Sequence, residues 1–135
     1  MSSNLRHFSV EEARTLLKQM LPKLSQIVEL KKSLDAKNYD VYRHQYFGGS
    51  GPNGTKHYPP ELEELVDILR DFSSESILIK SLDEGLIDFP HLTAEGKEVY
   101  LCYKLGEDDI LFWHPIDTGF AGRKRLDDLS DTTKL

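Results

Sequence analysis

Apolar residues recur at Ala13, Leu16, Leu17, Met20, Leu21, Leu24, Ile27, Val28 and Leu34, the spacing that lays one apolar stripe along a helix. Ser9-Val10-Glu11-Glu12 opens that helix as a capping box, with Ser9 as N-cap and Glu12 reaching back. Pro22 leaves the stripe in phase, so a kink is expected and not a break. The first helical segment is read over 9–46, its end from Asn38 to Tyr46 resting on thinner apolar content. Glycines at 48, 49, 51 and 54 then mark a flexible loop over 48–59. Lys56 is close by, but the GxxxxGK[ST] spacing of a phosphate loop is missing and no strand precedes it. Leu62, Leu65, Val66, Leu69 and Phe72 define a second helix over 60–74, with Pro60 and three glutamates at its start. The two helices should pack as an antiparallel hairpin.

After Ser73-Ser74 the period shortens to that of strands. Ile77–Ile79, Leu86–Phe89 ended by Pro90, Val99–Leu105 and Ile110–Ile116 read as strands, and Phe120–Arg125 adds a short last one. The segment 77–125 is thus an antiparallel β unit, and 127–135 is a polar tail. The expected fold is α+β: an N-terminal antiparallel helical hairpin packed on a small C-terminal antiparallel sheet, in a single domain over 1–135. A tight turn at Gly106–Asp109 pairs Leu105 with Ile110, hence Cys102 with Trp113 and Leu101 with His114. That register sets Cys102 and His114 on opposite faces and argues against a Cys–His pair. A one-residue bulge would reverse it. Both sheet faces carry large apolar groups. One is covered by the helices, and a second copy of the chain is expected on the other, making a homodimer.

Composition narrows the function classes. Acids outnumber bases, 23 to 17, for a net charge of −6, which disfavours nucleic acid and anionic membrane surfaces as partners. The single cysteine permits no intrachain disulfide, and no stretch has the length of a membrane span. A cytoplasmic location is expected.

Two groups of residues suggest chemistry. Asp88, His91, His114 and Asp117 carry carboxylates and imidazoles able to bind a divalent transition metal or to exchange protons. Against this, Asp88 suits a turn before Phe89-Pro90, His114 suits a hydrogen-bonded position in a sheet, and HExxH or CxxC spacing is lacking. Gly119-Phe120-Ala121-Gly122-Arg123 could bind an anion through close backbone approach and an arginine fork. Its structural alternative is a turn in which Arg123 pairs with Asp88 or Asp117. Trp113 could stack on a ligand, though a strand tryptophan more often packs against a helix or a subunit interface. Cys102 lies in an apolar run and reads as an inert buried thiol. His7, His44 and His57 are scattered.

Several short motifs come in order: Phe8-Ser9-Val10-Glu11-Glu12-Ala13, Gly85-Leu86-Ile87-Asp88-Phe89-Pro90, Leu101-Cys102-Tyr103, Gly106-Glu107, Trp113-His114 and Gly119-Phe120-Ala121-Gly122-Arg123. Together they resemble the family of small bacterial and archaeal proteins known as domain of unknown function 2203. The loop from Gly48 to Pro60 departs from that family's compact pattern. The resemblance implies a helical first half and marks the C-terminal residues, but implies no activity. The expectation is a non-enzymatic binding or interaction domain without a cofactor. Its ligand candidates are Asp88, Trp113, His114 and Arg123, and its partner is a small anionic ligand or a protein. The competing expectation is a small metal-dependent, hydrolase-like enzyme using Asp88, His91, His114 and Asp117.

Overall fold

The Ser9 capping box forms as the sequence predicts. Ser9 Oγ accepts from the Glu12 amide at 3.0 Å, and Glu12 Oε1 accepts from the Ser9 amide at 2.9 Å. It starts helix α1, Val10–Ala36, which runs through Pro22. The computed structural model describes residues 6–44, 47 and 59–129, so the glycine-rich loop expected over 48–59 lies almost wholly outside the described residues. The helix ends at Ala36, short of the expected extension from Asn38. Asn38 takes a left-handed φ of 59°, and the chain turns there into a short 3-10 helix at Val41–Arg43. Asparagine is among the few residues that accept this conformation at low cost, a local stop that the faint apolar pattern had masked.

Helix α2 spans Pro60–Ser74 with Pro60 at its first turn and buries Leu62, Leu65, Val66, Ile68, Leu69 and Phe72. The polar ties Lys23–Asp71, Gln26–Glu64 and Lys37–Glu61 ascend α1 as they descend α2, so the helices run antiparallel. Among the described residues no helix is long and apolar enough to cross a membrane.

Five antiparallel strands follow in chain order across one sheet: β1 Leu78–Ser81, β2 Leu86–Leu92, β3 Glu98–Lys104, β4 Phe112–Pro115 and β5 Lys124–Arg125. Pro90 does not end β2. Its carbonyl accepts from the Phe8 amide at 2.7 Å, so its amide side points past the end of β1, where no ladder bond is lost. Alternation gives the sheet two faces. Ile87, Phe89, Leu101 and Tyr103 point to the helices and join the main core, with Trp113 packed against it. Asp88, Tyr100, Cys102, Phe112 and His114 point the other way.

The β3–β4 register differs from the one expected. Cys102 faces Phe112, Leu101 faces Trp113 and Tyr100 faces His114. The expected 105–110 pair does not form, because its backbone groups bond elsewhere. The Leu105 amide donates to the Gly85 carbonyl at 3.0 Å. Arg14 of α1 donates to the Ile110 carbonyl at 2.8 Å, and the Ile110 amide bonds the Asp109 side chain. The hairpin ends early in a wider loop, and every pair slips by one. Cys102 and His114 therefore share a face, the outer one.

The chain covers part of that outer face itself. A 3-10 turn at Phe120–Gly122 lies against it before the chain joins the sheet edge as β5, with Arg123 stacked on Phe112 at 4.0 Å and on Phe120 at 4.6 Å. Near this turn the large apolar side chains Ile116 and Phe120 are exposed.

Candidate functional site

Three neighbouring strands each contribute one polar side chain to the outer face: Asp88 from β2, Cys102 from β3 and His114 from β4. Asp88 sits directly across from Cys102, and His114 lies diagonally beyond, opposite Tyr100. All three are buried, at 1%, 0% and 2% exposure. A carboxylate oxygen, the thiol sulfur and an imidazole nitrogen lie within 4.8 Å of one another.

The hydrogen bonds fix the histidine's tautomer. His114 Nδ1 lies 2.7 Å from the Pro115 carbonyl, which can only accept, so Nδ1 carries a proton. Nε2 lies 2.9 Å from Asp88 Oδ2. A single proton is therefore shared across that contact, held by the imidazolium or by the carboxylic acid. Asp88 Oδ1 is buried without a hydrogen-bond partner. Burial pushes the Asp88 carboxyl above the usual carboxylate range, against the opposing pull of His114, Cys102 and Lys80. Burial, seconded by the charge of Asp88, pushes the Cys102 thiol up to about 12. This is not a nucleophilic triad. One histidine nitrogen serves Asp88 and the other a backbone carbonyl, so neither is free to take the thiol proton.

The cluster opens into a cavity of about 290 Å³. Leu86, Asp88, Cys102 and His114 form its buried side, and Lys80, Ile116, Gly119 and Phe120 its solvent side. Lys80 has no ion pair among the described residues and lies over the Tyr100 ring at 5.4 Å. A larger groove of about 400 Å³ lies between α2 and β1, but apart from Lys80 its lining is apolar or hydroxyl-bearing.

Of the four residues expected to converge, only Asp88 and His114 do. His91 is an odd number of positions from Asp88 and so faces the helices, where Nδ1 donates to the Phe8 carbonyl at 2.6 Å. Asp117 is exposed in the turn after β4. Trp113 points to the core side, with Lys124 over its ring at 5.3 Å. Arg123 is paired internally, as one alternative held, but with Glu107 at 2.7 Å and with neither Asp88 nor Asp117. That pair and the two flanking rings engage the guanidinium. Cys102 and Lys80 were not among the expected site residues. Counting outward from the turn at Thr93–Lys97 pairs Leu92 with Glu98 and Asp88 with Cys102, a signal that the sequence did contain.

A family model described as an uncharacterised conserved protein, DUF2203, matches residues 6–126. No curated protein and no solved structure matches the chain.

Proposed function

The chain belongs to the DUF2203 family of uncharacterised conserved proteins, and from that footing we propose that it is a binding module whose ligand occupies the outer-face cavity at Asp88, Cys102 and His114. The observation that carries this reading is Asp88 Oδ1, a carboxylate oxygen buried at the edge of a cavity with no hydrogen-bond partner. Burying a carboxylate is costly, and a buried ion pair is commonly no more stable than apolar residues of the same volume. A sheet face that only needed filling would be better served by leucine and phenylalanine. The cavity suits an ion or a small polar molecule, and a negative group on a ligand would meet Lys80. The sole cysteine being free and buried supports a reducing, cytoplasmic setting.

Native mass spectrometry tests this whatever the ligand is, because it reads the added mass directly. Protein purified without chelator is expected to carry mass above that of the bare chain. The double variant Asp88→Leu/His114→Phe is expected to fold and lose that mass. Wild-type protein that always flies at the mass of the bare chain would remove the basis for the proposal.

A further inference from the structure

The ligand-binding reading leaves the ligand's chemistry open, and the donor set narrows it. We infer that Asp88, Cys102 and His114 form a three-ligand site for a zinc-class divalent transition metal, with the fourth position open to the cavity. This inference rests on the proposed cavity and names what it takes.

One carboxylate, one thiolate and one imidazole make a mixed O, S, N set. Such a set suits zinc, cobalt and their neighbours, whereas calcium and magnesium require oxygen throughout. The histidine ring is held in a ligand's orientation, and a metal would take the place of the proton that Nε2 shares with Asp88 Oδ2. Its Nδ1–H is tied to the Pro115 carbonyl, which fixes the ring and turns Nε2 inward toward Asp88. A backbone or carboxylate partner on the far nitrogen is the usual support of a metal-bound imidazole. Asp88 brings a buried oxygen, Oδ1, that makes no hydrogen bond, beside a carboxylate already in contact with the Cys102 thiol and His114.

The distances agree. Donors about 2.0–2.3 Å from a tetrahedral ion stand roughly 3.3–3.8 Å apart. The three donor atoms here lie within 4.8 Å of one another, so side-chain rotation of about an ångström brings them to an ion. The ligands stand on three adjacent paired strands, a rigid base for a defined geometry. The charge also balances: the divalent ion displaces the Cys102 thiol proton and the proton shared by Asp88 and His114, both leaving to solvent, and the resulting thiolate and carboxylate cancel its charge.

Cobalt(II) is the probe, because thiolate coordination gives it a sulfur-to-metal charge-transfer band in the near ultraviolet and tetrahedral geometry gives intense visible bands. Chelator-treated full-length protein is titrated with cobalt chloride and then with zinc chloride. The expected result is one equivalent of cobalt bound with both features, and its displacement by zinc. Cys102→Ser is expected to lose the charge-transfer band. His114→Gln, chosen because alanine would leave Asp88 buried alone, is expected to bind about 100-fold more weakly or worse. Asp117→Asn is expected to match wild type. Circular dichroism confirms that each variant is folded. Should His114→Gln fail to fold, the Cys102→Ser spectrum decides alone. Wild-type protein that binds no cobalt, or a Cys102→Ser spectrum identical to wild type, overturns the metal site. If cobalt fails while native mass spectrometry still shows bound mass, the metal inference falls and the binding module stands. If both fail, both fall.

Discussion

At Cys102 two influences act in the same direction. Burial withdraws the thiolate from water, and the charge of Asp88 opposes a second negative group beside it; the thiol is driven up to about 12 from an ordinary 9.0. A thiol pKa raised by folding favours the native state fully below the unfolded value, and that contribution is lost as pH rises through the folded one. The loss therefore falls between about pH 9 and pH 12, far from neutrality. In the metal-free protein near neutral pH, thiol reagents should react with Cys102 only as fast as the chain opens. A labelling rate that drops as the fold is stabilised is the expected result. Immediate stoichiometric labelling of native protein contradicts the burial of this residue. The sequence identified Asp88 and His114 as chemically suggestive, yet set Cys102 aside. The apolar run around Cys102 does bury the thiol, as its sequence implies. What brings it beside His114 is the β3–β4 pairing, one residue away from the register that the turn implies.

That pairing is a matter of elements. The helices were readable because their evidence is local: a capping box, a stripe and a proline at a first turn. The β3–β4 register was not, because contacts distant in sequence decide it. Arg14 takes the Ile110 carbonyl across 96 residues, and Leu105 bonds Gly85 in the β1–β2 connection. Gly85 is the hinge of this arrangement. Its φ is +64°, and a Cβ there would stand 2.7 Å from Leu105 Cβ and 3.2 Å from Val28 Cγ2. Gly96, in the next turn, has a φ of +85° but open space around it. Alanine at Gly96 is expected to cost about 1 kcal/mol, the left-handed backbone penalty alone. Alanine at Gly85 adds the clash and is expected to cost roughly 1–3 kcal/mol more. Denaturant unfolding of the two variants checks this, and equal losses would mean that the β1–β2 turn does not pack against Leu105 as described.

Across the whole molecule, the helices cover one face of the sheet and the returning C-terminal segment covers part of the other. The cavity lies between that segment and the buried cluster. Arg123 contributes to the covering. Paired with Glu107 and stacked on Phe112 and Phe120, it ties the segment to the sheet and does not line the cavity. The family resemblance marked Asp88, His114 and Arg123 alike, and only their three-dimensional placement separates the two that line the cavity from Arg123, which does not. The central claim is that the cavity at Asp88, Cys102 and His114 is a ligand site and not a satisfied polar pair. A high-resolution crystal structure of the protein purified without chelator tests that most directly. Density beyond water in contact with Asp88 Oδ1 and His114 Nε2 is the predicted result; a cavity collapsed onto the Asp88–His114 pair, or holding water alone, contradicts it.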